Sequence, residues 1–428
     1  MKAVWKYALI AALSGLLFGF DTAVISGADQ ELQALWDSSD FFHGFVVMGI
    51  ALWGTVAGAI FGAWPNNKYG RKACLMGIAV LYLLSALGSA LAADPFVFAA
   101  FRFLGGLAIG VSTIAAPAYI TEIANSEQRG RLVGLYQLSI VSGILMALLS
   151  NYFIARWVFA DAWRWMLGVE ALPAFLFLIF TSLIPRSPAW LLSKGKRDQA
   201  KAIANKLGIV MLEKSSKLEQ SKSVYSRPYR RSMYLVIFIA FFNQLSGINA
   251  ILYYAPRIFK EAGLNLDLAF LSTAGIGLVN LGFTIVGMLL IDRLGRKKLL
   301  YLGSLGYLIS LIAIAFAFYL KVSGMYVVAL VFLFIASHAV GQGAVIWVFI
   351  AELFPVSARA SGQALGSSVH WVLAAIVPSS LPFMIAKIGA SGVFSFFAFA
   401  MLLQLIWIYL KVPETKGKSS EAIQHELS

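Results

Sequence analysis

Along this chain, long apolar runs alternate with short polar loops. The runs are continuously apolar and show no period-2 alternation, so a transmembrane β-barrel is rejected. Each run is long enough to cross a bilayer as one helix of about 20 residues. Twelve of them predict spans over 7–28, 43–64, 73–92, 96–120, 132–154 and 165–184, then 232–255, 268–291, 298–320, 325–350, 362–386 and 392–410. The fold class is therefore an all-α membrane protein whose twelve transmembrane helices form two six-helix bundles, over 1–184 and 232–411. A cytoplasmic loop, 185–231, joins them, and a cytoplasmic tail follows over 412–428. In the loop, Ala200, Ile203, Ala204 and Leu207 recur at helical spacing among basic residues. That predicts a short amphipathic helix, with a solvated basic linker as the alternative.

Composition narrows the class. Of 428 residues, 60% are hydrophobic and 13% charged, and the mean hydropathy is +0.80. Soluble domains carry about 25% charged residues, so a soluble globular protein is excluded. The net charge of +14 would suggest nucleic acid in a soluble protein. Here most Lys and Arg fall in alternate loops, which reports basic cytoplasmic segments. The asymmetry predicts a multi-pass protein of the cell membrane with both termini in the cytoplasm, and no nucleic-acid partner. Asp21 and Ser26 interrupt the first run, and no small-residue cleavage site follows it, so it reads as a retained helix. The single cysteine, Cys74, rules out an intrachain disulfide and a cysteine-built zinc or iron–sulfur site. Gly105–Gly110 lies inside a span and reads as close helix packing, not phosphate binding. No cofactor is expected.

The chain also repeats itself. Asn67–Leu75 reads NKYGRKACL, and Asp292–Leu300 reads DRLGRKKLL. Tyr119-Ile-Thr-Glu122 is followed by Arg129, and Phe349-Ile-Ala-Glu352 is followed in the same way by Arg359. Two matches at nearly one offset indicate two homologous halves, a design used by transporters whose substrate site lies between repeats. Gly70 and Gly295 let the chain turn sharply between spans. Charge pairs between the halves, drawn from Arg71, Glu122, Arg129, Arg296, Glu352 and Arg359, would close the inner side and break when it opens. The plainer reading makes the basic residues topology anchors only.

Ionisable residues inside hydrocarbon are costly and need a reason. Asp21 lies about 22 Å along span 1 at about 1.5 Å per residue. Arg102 and Glu170 lie about 8–9 Å into spans 4 and 6, which run the other way. All three thus reach one outer level of the first half. Either Asp21 exchanges a proton with solvent, with Glu170 as a helper, or the group is a static Asp–Arg brace. Neutral amides within spans suit hydroxyl-bearing solutes, since each carries a donor and an acceptor, and Trp covers apolar CH faces. Candidates are Gln137, Asn243, Gln244, Asn249 and Asn280, with Trp347 and Trp371. For each alone, an interhelical hydrogen bond or an interfacial aromatic is the plainer reading. His370 either donates to a solute or packs beside Trp371. His338 reads as a helix–helix contact, His43 and His425 as solvated, and Phe394, Phe396, Phe397 and Phe399 as lipid-facing.

Taken together, several segments resemble the sugar porter family of the major facilitator superfamily along nearly the whole chain. They are Gly19-Phe-Asp-Thr-Ala-Val-Ile-Ser-Gly27; Arg102 with Gly106, Gly110, Pro117, Tyr119, Glu122, Arg129 and Gly130; Gln137-Leu-Ser-Ile; Gln244-Leu-Ser-Gly-Ile-Asn249 with Tyr253-Tyr254; Gly343, Trp347, Glu352-Leu-Phe-Pro355 and Arg359; and Pro413-Glu-Thr-Lys-Gly417. The resemblance implies that Asp21, Arg102 and Glu170 touch and couple protons. It implies that the amides hold sugar, and that Tyr253 and Tyr254 close the outer side, where the alternative is an ordinary aromatic belt. Departures stand at Asn67, where the family has an acid, and at Pro185-Arg-Ser-Pro-Ala189, where it has Pro-Glu-Ser-Pro-Arg. Others stand at Asn243, Ala344 and His370. The implied function is monosaccharide import by proton symport through alternating access, with hexose ahead of pentose, by a protein that acts as a monomer. A sugar or polyol uniporter is the rival in the same class, and a transporter-like sugar sensor the rival in another. An enzyme is not expected.

Overall fold

A run of apolar residues placed in hydrocarbon can satisfy its backbone polar groups only internally, and a helix does so within one segment. The computed structural model describes residues 2–125, 128–158, 160–209, 224–322 and 324–427, and among these every regular element is helical. The chain divides into two compact units, Met1–Ser215 and Ser216–Ser428.

In the first unit α1 is Lys2–Leu35, α2 Ile50–Phe61, α3 Ala63–Tyr69, α4 Arg71–Leu91, α5 Pro95–Ile123, α6 Arg129–Trp157, α7 Ala162–Gly168, α8 Ala171–Leu183, α9 Pro188–Ser193 and α10 Arg197–Leu207. The second unit holds α11 Arg230–Leu245, α12 Ile248–Glu261, α13 Leu266–Leu294, α14 Arg296–Tyr319, α15 Gly324–His338, α16 Ala344–Glu352, α17 Val356–Lys411 and α18 Ser420–Leu427. Among the described residues, ten helices are long and apolar enough to span a membrane, and a bent pair, Asp40–Met48 with Ile50–Phe61, adds another. One of the ten, Ser361–Lys411, has 51 residues, or about 76 Å, against a hydrocarbon core of about 30 Å. It breaks at Gly389, whose φ is +69°, and so supplies two crossings. Twelve spans result. In the loop between the bundles, α10 buries Ala200, Ala204 and Leu207.

Helices in lipid associate through close packing and not through the hydrophobic effect. In the first unit, a Cβ on Gly19 would lie 1.9 Å from the Ile140 carbonyl oxygen, and one on Gly143 would lie 2.0 Å from that of Leu16. Only glycine at both positions lets α1 and α6 meet backbone to backbone. Helix starts are set by local chemistry. Asp94 accepts from the Phe96 and Val97 N–H groups at 2.9 and 3.0 Å ahead of α5, with Pro95 in its first turn. That arrangement satisfies donors which otherwise lack partners.

Several spans are interrupted where polar residues sit. Span 6 breaks between α7 and α8 at Val169–Glu170, span 7 between α11 and α12 at Ser246–Gly247, and span 10 contains a π-helical turn, Ala339–Gly343. Such interruptions free or redirect backbone groups and are frequent at functional sites.

Two sequence expectations are corrected here. His43 is fully buried and bonded through Nε2 to Asp29 Oδ1 at 2.8 Å, not solvated. It opens a π-helical segment, His43–Met48, that turns its ring inward onto α1. The aromatic run of α17 is not wholly lipid-facing. Phe394 and Phe397, three residues apart, are buried, while Phe396 and Phe399 are exposed, as the period of a helix with one packed face requires.

Candidate functional site

The first unit gathers ionisable side chains. Asp21 on α1, Arg102 on α5 and Glu170 at the start of α8 are each at most 1% exposed. Arg102 donates from Nη1 to Asp21 Oδ1 at 2.5 Å and from Nη2 to the Asp21 carbonyl oxygen at 3.1 Å. Glu170 interacts electrostatically with both partners. Three helices thus bring one cation and two carboxylates together without water-facing surface, so the charge state of the group depends on how many protons it holds. Gly105 makes the room: a Cβ there would lie 2.4 Å from Ser85 Oγ and 3.3 Å from Asp21 Oδ1. Tyr82, fully buried, lies within electrostatic range of Asp21 and Glu170, and Tyr136 shares a hydrogen bond with Ser112 at 3.2 Å. Sequence reasoning missed these hydroxyls, because a tyrosine inside an apolar run looks like any other aromatic there.

The second unit gathers neutral groups. Gln244 donates from Nε2 to Asn243 Oδ1 at 2.8 Å, and its Oε1 accepts from Asn249 Nδ2 at 2.8 Å. The His370 ring lies 3.2–3.3 Å from the same Nε2. Asn243 reaches Gln342 Oε1 at 3.4 Å. The break at Ser246–Gly247 makes this possible. Gly247 takes φ +84°, a conformation glycine adopts freely, and so turns Asn249 back toward Gln244. His370 sits between two indoles, with ring centroids 5.0 Å from Trp347 and 5.0 Å from Trp371. Trp371 is 6% exposed and Trp347 36%. Asn280 is buried on α13, and among the described residues it makes no hydrogen bond to this cluster. In the first unit, Gln137 is half-buried on α6. Gln342 was missed by sequence reasoning, although an amide inside an apolar run was as visible there as Gln244. His338 meets the Tyr307 hydroxyl across α14 and α15. Tyr253 and Tyr254 are both fully buried, at a kink where Tyr254 has φ −123°. Full burial removes them from an aromatic belt.

The predicted gate charges pair within each unit. Arg71 donates to Glu122 Oε1 from Nε at 2.9 Å and from Nη2 at 2.8 Å, and Ser187 Oγ donates to Glu122 Oε2. Arg296 donates to Glu352 from Nη2 at 2.8 Å and from Nε at 3.1 Å, and Thr415 Oγ1 donates to Glu352 Oε2 at 2.7 Å. Each carboxylate therefore takes a two-pronged guanidinium contact and a hydroxyl from its own unit, where sequence reasoning paired the halves. Arg129 is exposed at the start of α6. Among the described residues neither it nor Arg359 forms an ion pair with these glutamates. Glu414, in the tail, tests two opposing effects. Partial burial works to raise its carboxyl, but backbone N–H groups of Lys416, Arg296, Lys297 and Thr415 outweigh it and hold it below the ordinary carboxylate value.

The sequence profile described as "Sugar (and other) transporter" matches residues 7–427. The chain is 35% identical over 431 residues to the arabinose-proton symporter of Bacillus subtilis, across 97% of this chain and 93% of that one. It is 32% identical to the D-xylose-proton symporter of Escherichia coli, across 98% and 95%. Among solved structures, the partially occluded, inward-open xylose transporter XylE from E. coli superposes with a TM-score of 0.86 at 31% identity, over 98% of this chain and 100% of that one.

Proposed function

The chain belongs to the sugar (and other) transporter family, sugar porters of the major facilitator superfamily, and from that premise we propose that it imports a monosaccharide together with a proton by alternating access. The observation that carries the coupling is the dry Asp21–Arg102 pair with Glu170 beside it. Ionised Asp21 holds the guanidinium. A proton on Asp21 cancels that attraction and leaves Arg102 to Glu170, and the exchange moves α1 against α5 and α8. Glu170 keeps the cation compensated throughout, which avoids the cost of an unpaired buried charge.

In the second unit, Asn243, Gln244, Asn249 and His370 bond one another through groups that sugar hydroxyls can replace one for one. The bonds lost on binding are thus remade, and selectivity rests on which hydroxyls find an amide. Trp371, with Trp347, covers the CH face of the ring. Gln137 on α6 and Asn280 on α13 are further candidate amides for sugar hydroxyls. Hexoses fit this reading first and pentoses second. The chain works as a monomer in the cell membrane with both termini in the cytoplasm, an orientation that the basic loops favour. Tyr253 and Tyr254 occlude the sugar, and the Arg71–Glu122 and Arg296–Glu352 pairs brace the inner helix ends within each unit. No covalent step is involved.

The test is Asp21→Asn in proteoliposomes. Counterflow of labelled sugar is retained, while accumulation under an imposed pH gradient is abolished. Accumulation by the variant would sink the coupling role of Asp21. Absence of saturable exchange by the parent chain, across a panel of hexoses, pentoses and polyols, would sink the transport reading.

A further inference from the structure

A serine inside a helix ordinarily returns its hydroxyl to a carbonyl three or four residues back. Ser14, Ser26 and Ser112 do so at 2.7, 2.7 and 2.8 Å. Ser85 and Ser89 on α4 do not. Both are fully buried, and among the described residues neither hydroxyl has a hydrogen-bond partner. Standing four residues apart, they share one face of α4. Buried polar groups in folded proteins are nearly always bonded, so two successive exceptions on one face need an account.

Ser85 faces the Asp21 site. A Cβ built on Gly105 would touch both sides of it, 2.4 Å from Ser85 Oγ and 3.3 Å from Asp21 Oδ1. The hydroxyl is therefore outside direct bonding distance of Asp21 yet no more than about two hydrogen-bond lengths away. Asp21 Oδ2 and both oxygens of Glu170 are buried as well, and among the described residues no donor reaches them. The other charged and titratable groups facing this stretch of α4 are engaged. Arg102 on α5 holds Asp21 Oδ1, and Arg164 on α7 donates to the Ala90 and Ala92 carbonyl oxygens at 2.7 and 2.9 Å. Tyr82, one turn back along α4, lies within reach of Ser112, which bonds Tyr136 on α6. Tyr82 and Ser85 are the neutral hydroxyls that α4 brings to Asp21, and of the two Ser85 is uncommitted.

Arg102 can only donate. It serves ionised Asp21, but it cannot accept from the O–H that Asp21 gains with a proton. On the reading above, Glu170 then takes the guanidinium, and the new O–H needs a neutral acceptor. A hydroxyl both donates and accepts. We propose that Ser85 is a positioning residue for the transported proton: directly or through one water, its hydroxyl donates to ionised Asp21 and accepts from protonated Asp21. Ser85 keeps its own proton throughout, and only the direction of the hydrogen bond reverses. Ser89, one turn towards the Leu91 end of α4, continues the same hydroxyl face. The inference rests on Asp21 as the proton carrier.

The experiment compares the full parent chain with Ser85→Ala and Ser85→Thr in proteoliposomes. Sugar counterflow at equal pH and accumulation under a pH gradient are both followed across a range of external pH. In Ser85→Ala the ratio of accumulation to counterflow falls about tenfold, the weight of one lost hydrogen bond. The pH midpoint of accumulation moves to the acid side, since protonated Asp21 has lost its acceptor. Ser85→Thr keeps the hydroxyl and restores both. A purely structural role would lower counterflow and accumulation together and leave the midpoint in place, which overturns the proposal. A second readout needs no sugar. In detergent, the acid-minus-neutral infrared band of the Asp21 carboxyl, identified by its loss in Asp21→Asn, shifts in Ser85→Ala. Ser85→Cys, a weaker donor and acceptor, gives an intermediate shift and decides the matter should Ser85→Ala not fold. An unmoved band and an unmoved midpoint overturn the proposal while leaving Asp21 as carrier. Accumulation by Asp21→Asn removes the carrier itself, and the role of Ser85 falls with it.

Discussion

The two units are copies that have been given different electrical characters. At the heart of the first lie one cation and two carboxylates; in the second the corresponding depth of interest is a web of amides and one imidazole. Charge in low dielectric is sensitive to a single proton, whereas amide networks respond to shape and to donor–acceptor pattern. On the proposed reading the first unit is the proton-responsive body and the second the solute-responsive one. The inner ends show the reverse: Arg71–Glu122–Ser187 and Arg296–Glu352–Thr415 are nearly superimposable in chemistry. What the copies share holds the fold, and what they do not share points to function.

The strongest way to break this contrast is Arg102→Ala. It leaves two buried carboxylates without their cation, and a loss of about 3–5 kcal/mol is expected, read as a large drop in Tm and no uptake. Arg102→Lys keeps the charge but not the planar fork, and restores folding without restoring accumulation. Next in size is Gln244→Ala. Removing the shared partner of Asn243, Asn249 and His370 raises the Kd for sugar by about 10–100-fold, since each buried partner left unpaired costs about 1–3 kcal/mol. The dependence of the remaining exchange on pH gradient stays unchanged. A variant that alters both would erase the division of labour. His370→Gln exchanges a ring for an amide between the two indoles, and shifts relative affinity among sugars by about tenfold or less, measured by competition in counterflow.

The smallest effect belongs to Glu414. Its folded carboxyl lies below the ordinary value of 4.5, so its contribution is complete above that value and is lost as pH falls through the lower, folded one. Melting curves of the parent against Glu414→Gln differ by about 1 kcal/mol or less at neutral pH, and the difference closes in acid. A gap that widened in acid would reverse the sign assigned to this contact.

Much of this was legible in the residues. Twelve apolar runs, the doubled Gly-Arg-Lys turn, and Asp21, Arg102 and Glu170 stand out, because charge within hydrocarbon is rare and conspicuous. His43 was misread because a histidine at the edge of a run looks solvated until the π-helical turn points it at Asp29. Tyr82, Tyr136 and Gln342 were overlooked because only their tips are polar and only packing shows where those tips meet. The gate pairing was assigned across the repeats because sequence registers charges but not the direction in which a guanidinium turns. The Ser246–Gly247 break could be suspected from glycine alone, but its effect on Asn249 could not.

Gly19 and Gly143 carry a final mechanical consequence. With no side chain between the backbones at these two positions, α1 and α6 have no compressible cushion there, and a displacement of one presses directly on the other. Asp21 lies two residues beyond Gly19 on that stiff strut. If Asp21 takes up a proton as proposed, the nudge it gives α1 passes to α6 through these backbone contacts.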